Sequence, residues 1–250
     1  MDQPAFLADA ALPSLRDGFR AAVIGATGGI GGALLTALQE NPRCGDAIGL
    51  ARNPQPGMIP IDLDDETSLI AAAASLSGDG NLDLIINATG RLHDQDTGLT
   101  PEKSWKHLDA ARLVESYRAN CIGPAMLAKH FLPLLPRQGK AVMAFLSARV
   151  GSISDNRSGG WHGYRAAKAG LNMMIRNFSH EMRFRNADAV ILGLHPGTVE
   201  TRLSAPFRNT ARHDILAPAS SATHLLQVID AAGAPVSGSC IDWKGQIIPG

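Results

Sequence analysis

Short apolar runs alternate with longer amphipathic stretches along most of the chain. The apolar runs cover 21–25, 47–51, 82–87, 141–146, 190–194 and 241–243, and stretches with helical periodicity cover 30–40, 104–135 and 164–184. This alternation is typical of βαβ units, so the sequence predicts an α/β fold: a doubly wound parallel sheet of about seven strands with helices on both faces.

Local signals set the boundaries of these elements. Asp64 and Asp65, followed by Glu66, indicate the start of a helix, and Pro42 ends the first helix soon after Glu40. The polar stretch 89–101 and the glycine- and serine-rich stretch 151–163 are predicted loops. No linker or repeat interrupts the pattern, so we expect one domain over 1–250, with 1–19 as an N-terminal arm.

Composition narrows the function classes. Of 250 residues, 45% are hydrophobic and 18% charged, and 23 basic residues balance 23 acidic ones, which indicates a globular protein without affinity for nucleic acid. Cys44, Cys121 and Cys240 lack the spacings of a disulfide framework or a metal site. No apolar run is long enough for a membrane span, and Asp2 and Asp9 oppose a secretory signal. We therefore expect a soluble cytoplasmic protein that binds neither metal nor membrane.

A glycine-rich turn follows the first apolar run, and a helix is predicted from about Ala33. Such a turn between strand and helix brings backbone N–H groups and the positive end of the helix dipole close to a pyrophosphate. The alternative is a tight turn with small residues for packing. The turn consists of Gly25, Ala26, Thr27, Gly28, Gly29, Ile30, Gly31 and Gly32.

The end of the second apolar run indicates which dinucleotide fits. An acidic residue about twenty positions after the glycine turn binds the ribose 2′-hydroxyl of NAD. Here Ala51 takes that position and Arg52 follows. An arginine pairs with a 2′-phosphate through charge-assisted contacts, so NADP(H) is predicted over NAD(H), unless Arg52 is only a solvated surface residue.

Tyr164 and Lys168 are four residues apart, so on a helix they share one face. A phenol has a pKa of about 10, and a neighbouring ammonium is expected to lower it by favouring the phenolate. Tyr164 is therefore a candidate proton donor and acceptor. Alone, such a pair is usually a surface pair; its position after a strand and a glycine-rich loop favours the catalytic interpretation.

In order and spacing these motifs resemble the short-chain dehydrogenase/reductase family from about Arg20 to the end of the chain. The glycine pattern Gly25-xxx-Gly29-x-Gly31 matches, with Ile24 in place of the usual threonine. Stretches 149–156 and 159–161 are similar to the C-factor-like and sniffer carbonyl reductase subgroup. The resemblance implies a single-domain Rossmann fold and hydride transfer between a nicotinamide and a small carbonyl or alcohol substrate.

Further site residues are implied by the resemblance. Lys168 would also hold the nicotinamide ribose, and Asn120 would complete a proton relay, unless it is simply tolerated beside Pro124. Asp62 would meet the adenine, or else caps a helix, and the Pro-Gly segment near 196 would otherwise be an ordinary turn. The cofactor contacts implied are Asp62, Leu63, Asn87, Ala88, Thr89, Gly90, Pro196, Gly197, Val199 and Thr201.

The catalytic serine is the point of departure from the family. Alignment on Gly151 puts Ala148 at the usual position, so either Ser147 takes the role, or Ser152 does, or the hydroxyl is missing. Ser147 is the preferred candidate, with an ordinary strand-end serine as the alternative.

The functional expectation is an enzyme that assembles as a homodimer or homotetramer through the stretches 104–135 and 164–184 and its final strand. Its rival is a dinucleotide-binding sensor or signalling protein with weak turnover, which the alanine at 148 keeps open. Trp161 and His162 either line the substrate pocket or anchor a loop, and His195 is expected to pack locally.

Overall fold

An eight-stranded sheet forms the centre of this computed structural model, which describes residues 11–78, 80–94, 100–206 and 215–250. The strand order is β10-β9-β6-β5-β4-β1-β2-β3, and a two-stranded sheet, β7-β8, lies apart. The strands are β1 (Phe19–Ile24), β2 (Cys44–Ala51), β3 (Ile59–Pro60), β4 (Leu84–Asn87), β5 (Ala141–Leu146), β6 (Ala189–His195), β7 (Thr198–Val199), β8 (Ile215–Leu216), β9 (Cys240–Asp242) and β10 (Ile247–Ile248).

The sheet is parallel except for the edge strand β10, which runs antiparallel to β9. Every residue of β1, β4 and β5 is buried. Central parallel strands are covered on both faces, which explains why these segments are continuously apolar and not alternating. The predicted doubly wound α/β fold is confirmed, with seven parallel strands and one antiparallel strand.

Helices cover the two faces of the sheet. One face carries α1 and α6, and the other carries α2, α4 and α5, each layer closing its own apolar core cluster. The helices are α1 (Gly29–Gln39), α2 (Glu66–Ser77), α3 (Ala110–Tyr117), α4 (Gly123–Phe131), α5 (His162–Arg185) and α6 (Pro218–Ala231). Within the described residues, none is long and apolar enough to cross a membrane.

Two helix predictions need correction. The stretch 104–135 is not one helix: α3 starts at the N-cap Asp109, a π-helical segment occupies Arg118–Ile122, and α4 follows with Pro124 in its first turn. The first helix begins at Gly29, four residues earlier than expected, because a glycine-rich sequence conceals the start of a helix that tertiary packing stabilises. The predicted start of α2 is confirmed, since Asp65 caps it by accepting from the Thr67 N–H.

The described part of the N-terminal segment packs against the domain. Leu12 and Leu15 are buried in the core cluster beside α1 and α6. Arg16 donates two hydrogen bonds of 2.9 Å to the buried carboxylate of Asp83. Residues 11–19 are therefore an integral part of the fold and not a free arm, while 1–10 lie outside the described residues.

Candidate active site

A cleft opens at the carboxyl ends of the central strands. The strand order reverses between β1 and β4, and ligands of open α/β sheets bind at such a switch point. Two adjoining pockets occupy the cleft. The first, of about 330 Å³, is called the Arg52 pocket and includes Gly25, Thr27, Asp62 and Leu63 in its lining. The second, of about 230 Å³, is called the Tyr164 pocket and includes Ile30, Ser147, Lys168 and Thr201.

The glycine turn joins the two pockets, since Gly28 lines both. Gly25 has φ +83°, a conformation that favours glycine, and a Cβ on Gly31 would lie 2.2 Å from the Gly25 carbonyl oxygen. No side chain caps α1 at Gly28. The N–H groups of the first helical turn, from Gly29 to Gly31, have no partner inside the helix, so this end of the cleft suits an anion.

The Arg52 pocket has a mixed electrostatic lining. Arg52 is exposed at its edge, next to the buried Ala51 at the end of β2. Asp62 and Leu63 also line the pocket, and the Asp62 carboxylate accepts a hydrogen bond from the Asp64 N–H at 3.1 Å. The structure therefore brings the predicted adenine-side residues together, with Asp64 as an acidic neighbour that the sequence had not indicated as part of the site.

The turn after β4 connects the pockets with the π-helical segment. Ala88, Thr89 and Gly90 line both pockets, whereas Asn87 lies behind them and accepts hydrogen bonds from the backbone and hydroxyl of Thr89. Asn120 is fully buried. Its Oδ1 accepts from the Arg91 N–H at 3.0 Å, and its Nδ2 donates to the Arg91 carbonyl at 2.7 Å and to the Ser116 carbonyl.

This reciprocal pairing makes the Asn120 side chain a clamp between the turn and the helix. A Cβ on Gly90 would lie at ordinary contact distance from Asn120 Oδ1, 3.4 Å, and from Lys168 Nζ, 3.6 Å, so Gly90 borders both side chains. Asn120 itself does not line either pocket. The π-helical turn that carries it is a form that is often found at functional sites.

Tyr164 and Lys168 lie together on the first two turns of α5. The Lys168 ammonium is 5.7 Å from the centre of the Tyr164 ring and donates a 2.7 Å hydrogen bond to the Leu146 carbonyl at the end of β5. Burial lowers the pKa of Lys168 to about 8. Burial also raises the pKa of Tyr164, so the expectation of a lowered phenol pKa is wrong here: desolvation outweighs the ammonium.

The two candidate serines differ in their surroundings. Ser147 lines the Tyr164 pocket and is buried, and its hydroxyl donates a 2.7 Å hydrogen bond to Asn172 Oδ1 on α5. Ser152 is buried outside both pockets, where its hydroxyl accepts from the Asp155 N–H. Of the two serines, only Ser147 therefore shares a pocket with Tyr164 and Lys168, although its hydroxyl is bonded to Asn172.

The segment after β6 completes the Tyr164 pocket. Pro196 and Thr201 line the Tyr164 pocket. Gly197 and Val199 do not line it, and Val199 is buried. His195 lines neither pocket. Burial lowers the pKa of His195 to about 4, so the ring is neutral at physiological pH.

Sequence reasoning missed several lining residues. Arg202 lines both pockets, and its carbonyl lies 3.1 Å from the His93 Nε2. The sequence did offer one signal for Arg202, because it is an arginine directly after Thr201, a predicted cofactor residue. The other missed residues carry no chemical signal because they contribute backbone, apolar surface or a charge used elsewhere: Ile61, Arg91, Ala119, Leu146 and Leu203.

The aromatic residue before α5 lies beside the tyrosine. The Trp161 ring meets the Tyr164 ring edge-on, with the centroids 6.4 Å apart. Neither Trp161 nor His162 lines the two pockets, so of the alternatives for these two residues the structure favours the loop anchor.

Fold and site define an oxidoreductase built on a Rossmann-like domain. The model of the short chain dehydrogenase family matches residues 20–212, and the chain belongs to that family. A Rhodococcus sp. (strain AD45) relative named 1-hydroxy-2-glutathionyl-2-methyl-3-butene dehydrogenase is 32% identical over 71% of this chain and 73% of its own. The C-signal protein of Myxococcus xanthus is 32% identical over 57% of this chain and 81% of its own.

The structural comparison agrees with this assignment. The NADPH-bound carbonyl reductase from chicken fatty liver is 25% identical, covers 94% of this chain and 95% of its own, and superposes with a TM-score of 0.76. The family membership expected from the motifs is thereby confirmed, and with it the class of enzyme, a short-chain dehydrogenase/reductase.

Proposed function

We propose that the protein is an NADP(H)-preferring oxidoreductase that reduces a small carbonyl substrate, or oxidises the corresponding alcohol, with Tyr164 as the general acid and base. The observation that carries the proposal is the meeting of Tyr164, Lys168 and the glycine turn in one continuous cleft. A phosphate-binding backbone and a proton donor thus face the same space.

The cleft fits a dinucleotide on its own geometry. The first turn of α1 offers unpaired N–H groups, and a side chain at Gly31 would collide with the Gly25 backbone. Arg52 would hold a 2′-phosphate, while Asp62 and Leu63 would meet the adenine. Arg202 lines both pockets and would contact the diphosphate where the pockets meet. Thr201 and Val199 would hold the nicotinamide amide.

When bound, the nicotinamide supplies or accepts the hydride. Tyr164 donates its hydroxyl proton to the substrate oxygen during reduction and takes it back during oxidation. Burial raises the pKa of Tyr164, so the phenol is protonated at neutral pH, which is the state that a proton donor requires. The Lys168 ammonium stabilises the phenolate that forms once the proton has left, and it also holds the nicotinamide ribose.

Ser147 is proposed as the second donor to the substrate oxygen. It lines the Tyr164 pocket, and Ser152 does not. Its hydroxyl must turn from Asn172 to serve the substrate. Asn120 supports the proton relay from behind, through the backbone of Arg91.

A direct test is to follow NADPH absorbance with a panel of small aldehydes, ketones and diketones, and then to repeat the panel with NADH. We expect turnover of at least one carbonyl class with NADPH. Tight NADPH binding without turnover of any carbonyl or alcohol would instead support the second candidate, a dinucleotide-binding signalling protein. Ala148 and the Ser147–Asn172 bond favour that candidate, and one relative is named C-signal.

Self-association is part of the proposal. Apolar side chains on α3 and α5 are exposed, among them Val114, Met173 and Phe184. A homodimer or homotetramer would cover such side chains. Light scattering at micromolar concentration tests this, and a monomer would contradict it.

A further inference from the structure

The catalytic helix α5 begins without a local cap. The residue before it, Trp161, has φ +50°, and Gly159 and Gly160 before that have φ +62° and +66°. Three consecutive left-handed residues are rare, and a bulky side chain there costs about 1 kcal/mol or more. Such a conformation persists only where surrounding contacts impose it.

Glu102, from the segment that precedes α3, supplies those contacts. Its carbonyl accepts a 2.6 Å hydrogen bond from the Trp161 N–H. Its carboxylate accepts a 3.1 Å hydrogen bond from the Gly163 N–H in the first turn of α5. Glu102 is therefore joined to the start of α5 at two adjacent points, once through its backbone carbonyl and once through its side chain.

The carboxylate of Glu102 is unusual in its burial. The residue is 6% exposed, and no cation within the described part of the chain forms an ion pair with it. Buried carboxylates need compensating donors, and the first-turn N–H groups and positive dipole end of a helix provide them. With the Gly163 N–H as its donor, this side chain is placed as the cap that α5 lacks locally.

The capped turn is the one that carries Tyr164. A Cβ on Gly163 would lie 3.1 Å from Glu102 Oε1 and 3.2 Å from Leu113 Cδ2, so this turn fits closely against its neighbours. Arg165 closes the other side by donating to the Gly160 carbonyl at 3.0 Å. The first turn of α5 thus has little freedom to shift along the helix axis.

We propose that Glu102 is a positioning residue, which caps α5 from a distant segment and fixes Tyr164 for proton transfer. The inference rests on the proposed function for its consequence in catalysis, but not for the cap itself. It also explains why Trp161 tolerates a left-handed backbone: its N–H is directed at the Glu102 carbonyl.

The test compares Glu102→Ala and Glu102→Gln with Asp65→Ala, which removes the cap of α2 outside the two pockets. In Glu102→Ala we expect kcat to fall about ten- to a hundredfold through misplacement of Tyr164, with KM and the NADPH Kd within about twofold of wild type. Glu102→Gln keeps an acceptor for Gly163 and should recover most of kcat. Asp65→Ala should lower the unfolding temperature without affecting kcat.

Two further measurements do not depend on turnover. Hydrogen exchange at 161–165 should quicken in Glu102→Ala and stay slow in Glu102→Gln. The chain has two tyrosines, Tyr117 and Tyr164, so ultraviolet titration with Tyr164→Phe as reference resolves the ionisation of Tyr164. Opening the first turn of α5 should lower the pKa of Tyr164 towards its ordinary value, since burial raises this pKa in the wild type.

Unchanged exchange at 161–165 in Glu102→Ala would overturn the cap, whatever the enzyme's activity. Faster exchange with unchanged kcat and unchanged Tyr164 ionisation would overturn the positioning role. If Glu102→Ala does not fold, Glu102→Asp, which shortens the reach to Gly163, decides by the same measurements. A wild-type protein without turnover would refute the proposed function alone, because exchange and titration still test the cap.

Discussion

The two ends of the cleft are built on different principles. The Arg52 pocket is lined by Gly25 and Gly28 of the glycine turn and by an exposed arginine, whereas the Tyr164 pocket is lined by buried side chains, with Lys168 2% and Ser147 4% exposed. Desolvation strengthens electrostatic effects, so it shifts the pKa values of Tyr164 and Lys168 at the second end. The first end should tolerate side-chain changes that the second does not.

The largest expected effect is at the buried end. Tyr164→Phe removes both a hydrogen bond to the substrate oxygen and the transferable proton, so kcat should fall about a thousandfold or more. The NADPH Kd, measured by fluorescence titration, should stay within about twofold, because the phosphate-binding backbone is untouched. Substantial remaining activity would mean that another group supplies the proton, and would break the contrast between the two ends.

The next largest effect concerns the second donor. A preorganised hydroxyl aimed at the developing oxyanion is worth about 3 kcal/mol, so Ser147→Ala should reduce kcat about a hundredfold. The matched control is Ser152→Ala, a buried serine outside the Tyr164 pocket, which should do little. Full activity in Ser147→Ala would contradict the role, and loss in Ser152→Ala instead would assign it to the loop after β5.

Much of the Arg52 pocket can be predicted from the sequence, because the backbone conformation of the turn that lines it requires glycine. The run from Gly25 to Gly31 between an apolar strand and a helix restricts the conformations available, and the structure has φ +83° at Gly25. Ala51 and Arg52 follow from their place at the end of β2. Alternation of apolar runs and amphipathic helices likewise predicts the sheet, because burial on both faces makes the central strands continuously apolar.

The second end is harder to predict because its properties depend on tertiary packing. The pair Tyr164 and Lys168 is visible as a spacing, but the sign of the phenol pKa shift depends on burial that no spacing records. Asn172 holds the Ser147 hydroxyl across two elements, and Glu102 reaches α5 from 61 residues away in the chain. The break at 118–122 was also hidden, since the π-helical segment keeps the helical periodicity around it.

A third prediction uses pH to separate the contributions of Lys168 and Tyr164. Burial lowers the pKa of Lys168 to about 8, so the ammonium is present below that pH and is lost above it. Tyr164 keeps its proton across this range because its pKa is raised. Carbonyl reduction should therefore fall above about pH 8, by about tenfold per pH unit if the ammonium is essential.

Lys168→Arg is the control for the decline in activity above about pH 8, since a guanidinium stays protonated across that pH range. Its activity should be lower overall but should show no decline near pH 8. A wild-type profile that remains level to pH 10 would indicate that the reaction does not need the charge on Lys168.

The smallest expected effect lies at the exposed end. Arg52→Ala should weaken NADPH binding only about five- to tenfold, because a solvent-screened contact with the 2′-phosphate is worth much less than a buried one. NADH lacks that phosphate, so its Kd should not change, and the preference for NADPH should shrink by the same factor.

The matched control is Arg137→Ala, which removes an exposed arginine outside both pockets and should leave both affinities unchanged. Raising the salt concentration should reproduce part of the Arg52→Ala effect in the wild type, since screening weakens exposed pairs first. Equal NADPH and NADH affinities in the wild type, or a preference that survives Arg52→Ala, would remove Arg52 as the selecting residue and point to Arg202, the exposed arginine shared by both pockets.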